Sequence, residues 1–180
     1  MTGTAFELTA ASMALGGLLA AAAASDLRER RVSNELNVMI FSCGVVFAAL
    51  FHGIGAGVLS VLAATGVALL IWFPMFALRL MGAGDVKLIA ACAAWLGWRG
   101  LLVATLATGV YGGVLGALWL LRTQGALSAI HAVATAIRAP WLMKMRPFEA
   151  RDRIPYAVAI AGGVATAWWM QFGQLIREGW

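Results

Sequence analysis

From residue 58 to residue 76 the chain reads VLSVLAATGVALLIWFPMF, nineteen residues without a charge. A helix crosses a bilayer with about 20 apolar residues, in a range of roughly 17 to 25, so this stretch alone places the chain in a membrane. Working outward, further apolar runs stand at 8–24, 38–51, 86–98, 101–121 and 154–175. Those at 38–51 and 86–98 are short. Each borrows from its flank, since SNELN (33–37) and GAGDVK (82–87) can continue a helix into the headgroup layer. Helices satisfy their own backbone groups, which hydrocarbon cannot do, and nothing here has the short alternating strands of a barrel. The expectation is an all-α integral membrane protein with six transmembrane helices, forming a single membrane-embedded domain over residues 1–180.

Composition agrees. Of 180 residues, 62% are hydrophobic and 12% charged, too few polar residues to cover a soluble domain. The basic residues behind the net charge of +5 fall in short gaps between apolar runs, so they read as membrane topology and argue against a nucleic-acid partner. One side would hold Arg28, Arg30, Arg31, Arg79, Lys87, Arg122, Arg138, Lys144, Arg146, Arg151 and Arg153; the other would hold Arg99 and Arg177. Eleven against two makes the first side cytoplasmic, with both termini outside. No basic region precedes the first run, so a retained helix is expected there rather than a cleaved signal peptide.

The gaps carry less. HGIGAG (52–57) reads as a tight external turn. In ALSAIHAVATAIRAPW (126–141), Leu127, Ile130, Ala134, Ile137 and Trp141 recur at helical spacing, which predicts a cytoplasmic interfacial helix between the fifth and sixth spans, touching membrane lipids. Gly109 with Gly113, and Gly112 with Gly116, permit close helix packing. Cys43 and Cys92 fall inside spans as small apolar residues, and His52 and His131 fall on opposite sides. With no CxxC, HExxH or GxxxxGK[ST], no metal and no cofactor are expected.

The charges at the span ends are more informative. Asp26 follows the first span in SDLRERRVSN, and Asp85 opens the fourth in MGAGDVKL (81–88). Both lie at the cytoplasmic edge. Two carboxylates arriving at one depth from two helices meet the requirement of an aspartic protease: one ionised to take a proton from water, the other neutral to polarise the scissile carbonyl. Asp85, at a helix N-terminus where the dipole favours an anion, is the expected base; Asp26, near a helix C-terminus, is the expected acid. Gly82 and Gly84 would let the backbone turn and a substrate strand approach, with Gly84 the more demanding position. Read without function, Asp26 is a solvated residue paired to Arg28 or Arg30, and Asp85 a helix cap near Lys87. Lys87 reads first as a snorkelling anchor or structural partner, and Arg28, Arg30 and Arg31 as contacts for anionic lipid.

These residues resemble a known family. GAGDVKL is similar to the GxGDxK signature of the prepilin peptidases, the GxGD class of membrane aspartic proteases, and SDLRERRVSNELN resembles their first-aspartate segment. RIPYAVAIAGG (153–163) resembles the start of the last helix in the short branch serving tight-adherence (Flp-type) pili. The resemblance implies that Asp26 and Asp85 are the catalytic pair, with Gly82, Gly84, Lys87, Asn34, Pro155 and Tyr156 supporting the motifs or binding substrate. It implies a type IV prepilin or pseudopilin substrate, cut after a glycine at the cytoplasmic face of the bacterial inner membrane, with the pilus assembly machinery as a further partner. Longer members carry paired CxxC motifs and N-methylate the new terminus; this chain has neither motif nor room for that region, so proteolysis without methylation is expected. Two positions depart from the pattern. Ser33 stands where proline is usual, which would loosen the start of the second helix, and Ala157 replaces a glycine, adding a methyl at a close contact. The alternatives are a small transporter or channel subunit with Asp85 as its ion site, and a noncatalytic assembly subunit of a pilus or secretion system.

Overall fold

A computed structural model describes residues 2–78, 81–124 and 156–178. The described elements are all helical: α1 (Thr2–Glu29), α2 (Asn34–His52), α3 (Ile54–Ala77), α4 (Ala83–Gln124) and α5 (Tyr156–Glu178). Among the described residues four stretches are long and apolar enough to cross a membrane, namely Phe6–Glu29, Asn34–His52, Ile54–Ala77 and Ala83–Trp119. The chain is a multi-pass membrane protein. The interfacial helix expected within 126–141 lies outside the described residues, as do Arg79 and Pro155.

The helices overrun the apolar runs that announce them. Helix α1 continues through Glu29 and closes at Arg30, which takes the left-handed φ of 54°, while the Ser25 hydroxyl donates to the Arg31 carbonyl at 2.9 Å. Helix α2 begins at Asn34 because Ser33 caps it: Ser33 is extended (φ −67°, ψ 149°) and its hydroxyl accepts from the Leu36 N–H at 3.2 Å. The departure at residue 33 therefore does not leave the start of α2 loose, since a side-chain cap holds it. The turn between α2 and α3 is also tighter than the expected six residues. Gly53 alone breaks the helix, at φ 78°, and a Cβ on Gly57 would stand 2.5 Å from the Ala48 carbonyl oxygen.

Helix α4 folds back on itself. Gly97 takes φ 63° and ψ 178°, values that cost a residue with a Cβ. Contacts with α3 and α5 give the direction of each arm. Along α3, Ser60 lies by Gly97, Thr65 donates to the Ala90 carbonyl, and Trp72 donates to Thr105. Along α5, Gln171 donates to the Leu96 carbonyl, a Cβ on Gly163 would collide with Thr108, and Tyr156 lies against Gly112. Moving away from Gly97, residue numbers thus fall in one arm and rise in the other. The two arms, 83–96 and 98–124, run antiparallel. The first arm is the centre of the bundle, and residues 88–96 are buried without exception.

Candidate active site

Helical periodicity carries Asp26 inward. Leu15, Leu19, Ala22 and Asp26 form the buried stripe of α1, spaced by three and four residues as one helix face requires. Asp26 is 6% exposed, so the picture of a solvated surface carboxylate does not hold. Its Oδ2 accepts a hydrogen bond from the Ala157 backbone N–H at 2.9 Å, and Arg30 lies within electrostatic reach. Ala157 is the second residue of α5, where N–H groups have no intrahelical acceptor. An α1 carboxylate therefore caps α5.

Asp85 occupies the third position of α4, and its Oδ2 accepts from the Gly82 backbone N–H at 3.2 Å. This is the acidic half of a capping box, in which a third-turn-position side chain reaches back to the residue before the helix. The geometry explains Gly82, for a Cβ there would approach Asp85 Oδ2 to 3.1 Å. A Cβ on Gly84 would meet nothing closer than the Val32 carbonyl oxygen at 3.8 Å. Gly82, not Gly84, is the more demanding of the two in this structure.

The remaining candidates gather at the same end. Lys87 Nζ donates to Asn34 Oδ1 at 3.1 Å, joining α4 to the first turn of α2 on the exposed side. Tyr156 opens α5, its hydroxyl held over Gly112, where a Cβ would come within 2.7 Å. Its phenol is within electrostatic reach of Asp85. Ala157 is fully buried, so the methyl that departs from the family pattern is accommodated.

Asp26 and Asp85 are brought to one end of the bundle by two helices whose backbones do not pack against each other. No residue of α1 comes within 8 Å, Cα to Cα, of a residue of α4 among those described. The first turn of α5 stands by both, its Ala157 amide on Asp26 and its Tyr156 ring by Asp85. The dipole argument that separated the two acids also loses its force, because Asp26, at the C-terminus of α1, faces the N-terminus of α5. Sequence reasoning missed this donor; a backbone N–H supplied from 131 residues away leaves no signature in local sequence. It also missed Asn37, a polar residue on the otherwise apolar α2 stripe of Ile40, Gly44 and Ala48.

At the opposite end, beside Gly97, lies a cavity of about 220 Å³ lined by Phe47, Trp95, Trp168, His52 and Gln171 among others. It contains neither aspartate.

Residues 13–117 match the Type IV leader peptidase family, a range holding Asp26, Asn34, Gly82, Gly84, Asp85 and Lys87 but not Tyr156. The chain is 31% identical over 116 residues to the prepilin leader peptidase/N-methyltransferase of Aeromonas hydrophila, covering 60% of this chain and 39% of that protein. The protein of the same name from Aeromonas salmonicida (strain A449) is 31% identical over 114 residues, with 60% and 39% covered. The match thus spans about two fifths of the length of these curated relatives. No solved structure matches. With more than half of its residues matched by the family, in the segment that carries both aspartates, the chain belongs to the type IV leader peptidase family.

Proposed function

We propose that the protein is a membrane aspartic endopeptidase that removes the leader peptide from type IV prepilins or pseudopilins of the Flp type. The observation that carries this reading is that two carboxylates from two helices stand at the same end of the bundle, Asp26 on the Ala157 amide and Asp85 at the start of α4. Asp85, the more open of the two, is assigned as the base that takes a proton from the attacking water. Asp26 is the acid that gives its proton to the scissile carbonyl oxygen as water adds; on collapse of the tetrahedral intermediate the C–N bond breaks, Asp85 passes the water's proton to the leaving amine and Asp26 takes back a hydroxyl proton.

The two arms of α4 count as separate passes and α5 as another, which gives six. The basic residues then put the aspartate end at the cytoplasmic face of the bacterial inner membrane and both termini outside. Lys87, Asn34 and Gly82 hold the α4 start in place, and Gly84 and Tyr156 line the approach of the substrate. Methyl transfer is absent from the proposal, since Cys43 and Cys92 are the chain's two cysteines and cannot form a CxxC pair.

The test is to reconstitute the purified protein with a short Flp-type prepilin and follow the substrate by intact mass, beside Asp26→Asn and Asp85→Asn. Loss of the leader with the parent alone, and no added methyl group, is the expected result. Cleavage that survives both substitutions, or a cognate prepilin left whole by the parent, would sink the reading.

A further inference from the structure

Asn37 is 6% exposed, and both its Nδ2 and Oδ1 are closed off without a hydrogen-bond partner. Buried polar side chains are nearly always paired, and each orphan costs a folded chain stability. A leucine would fill the same place at no such cost, because the neighbouring stripe is apolar. The carboxamide is thus an unfavourable group in the resting structure.

Its position can be fixed from two contacts. Helix α2 and the first arm of α4 run parallel, joined at Asn34 to Lys87 and again where Gly44 meets Ala94 and Trp95. Between these points Asn37 lies level with the opening turn and a half of α4, close in depth to Asp85. The seam is sealed further in. A Cβ on Gly44 would stand 2.8 Å from both Ala94 Cβ and Trp95 Cδ1, and Trp95 Nε1 donates to the Ile40 carbonyl at 2.8 Å. At its mouth, among the described residues, the seam carries one exposed side-chain hydrogen bond, Lys87 to Asn34. Parting of α2 from α4 between Asn34 and Ile40 would uncover Asn37, a polar group buried on the same face of α2 as Gly44.

We propose that Asn37 binds the main chain of the substrate, its carboxamide pairing with one peptide group when the seam opens at the level of Asp85. A carboxamide offers a donor and an acceptor side by side, as does the edge of an extended peptide, so recognition of this kind is indifferent to side chains. The inference deepens the peptidase reading and rests on it.

The test compares Asn37→Leu and Asn37→Ser with the parent, by thermal unfolding, by cleavage kinetics on a Flp-type prepilin, and by anisotropy of a labelled leader–stem peptide. The binding measurement uses an Asp85→Asn background, where nothing is cut. Asn37→Leu is expected to melt about 2–4 °C higher, because the orphaned amide is gone, while KM rises about tenfold at similar kcat and peptide affinity falls to match. Asn37→Ser, which keeps a hydroxyl that donates and accepts, should fall between. A lower melting temperature for Asn37→Leu with unchanged KM would overturn the inference and leave the peptidase reading intact. A parent that cuts nothing, with peptide binding that still weakens in Asn37→Leu, would do the reverse.

Discussion

At the Gly97 end of the bundle two tryptophans and a glutamine are hydrogen-bonded to the backbone or to a hydroxyl. Trp95 donates to the Ile40 carbonyl, Trp168 to Ser12 and Gln171 to the Leu96 carbonyl. Phe47 lies 5.4 Å from the Trp95 ring and 5.3 Å from that of Trp168, centroid to centroid. At the Tyr156 end the hydrogen bonds gather at helix starts, Asp26 to Ala157, Asp85 to Gly82 and Lys87 to Asn34, and Asn37 has no partner. A bundle of so little polar content can be clamped at one end and left adjustable at the other.

The strongest way to break this contrast is to find that the two ends trade roles under substitution. Asp26→Asn should lower cleavage on the order of 10³-fold or more, yet shift the melting temperature little, because the amide oxygen still accepts from Ala157. Trp95→Ala should do the opposite, costing about 3–5 kcal/mol in unfolding free energy while the protein that remains folded cuts at near the parental rate. Gly163→Ala sharpens the comparison from the middle of α5. Its Cβ would collide with Thr108 Oγ1 and stand 2.7 Å from the Ala104 carbonyl, a loss of about 1–3 kcal/mol readable in the same melts. The smallest effect belongs to Ser33→Pro. Its φ of −67° already suits proline, and the lost cap offsets the gain in chain stiffness, so stability should move by about 1 kcal/mol or less.

What could be seen in the sequence follows from the range over which each feature is encoded. The apolar runs and the two aspartates at their ends are local, and the helices appear where those runs predict. The starts at Asn34 and Ala83 also follow from residues within a turn, the Ser33 hydroxyl and the Asp85 carboxylate. The break between the fourth and fifth runs was legible as a gap near Arg99, but its corner is Gly97, since only the fold shows which residue takes φ 63°. The partner of Asp26 was not legible at all. Nothing near Ala157 marks its amide as the donor, and the bond exists only because α1 and α5 pack together. Asn37 was hidden for a related reason: a lone asparagine in a helix looks alike whether it faces water or an apolar seam.

The fold-back at Gly97 also bears on how the protein is made. Residues 83–96 rise about 21 Å at 1.5 Å per residue, short of the hydrocarbon thickness of about 30 Å. A segment that short holds its place in lipid poorly alone, whereas 98–119 is ample. On the six-pass reading, the arm bearing Asp85 would become a stable part of the membrane only after the ribosome has delivered the stretch beyond Gly97, the two entering as one hairpin. A truncation that ends shortly after Gly97 would leave Asp85 on a segment the translocation machinery has little reason to retain.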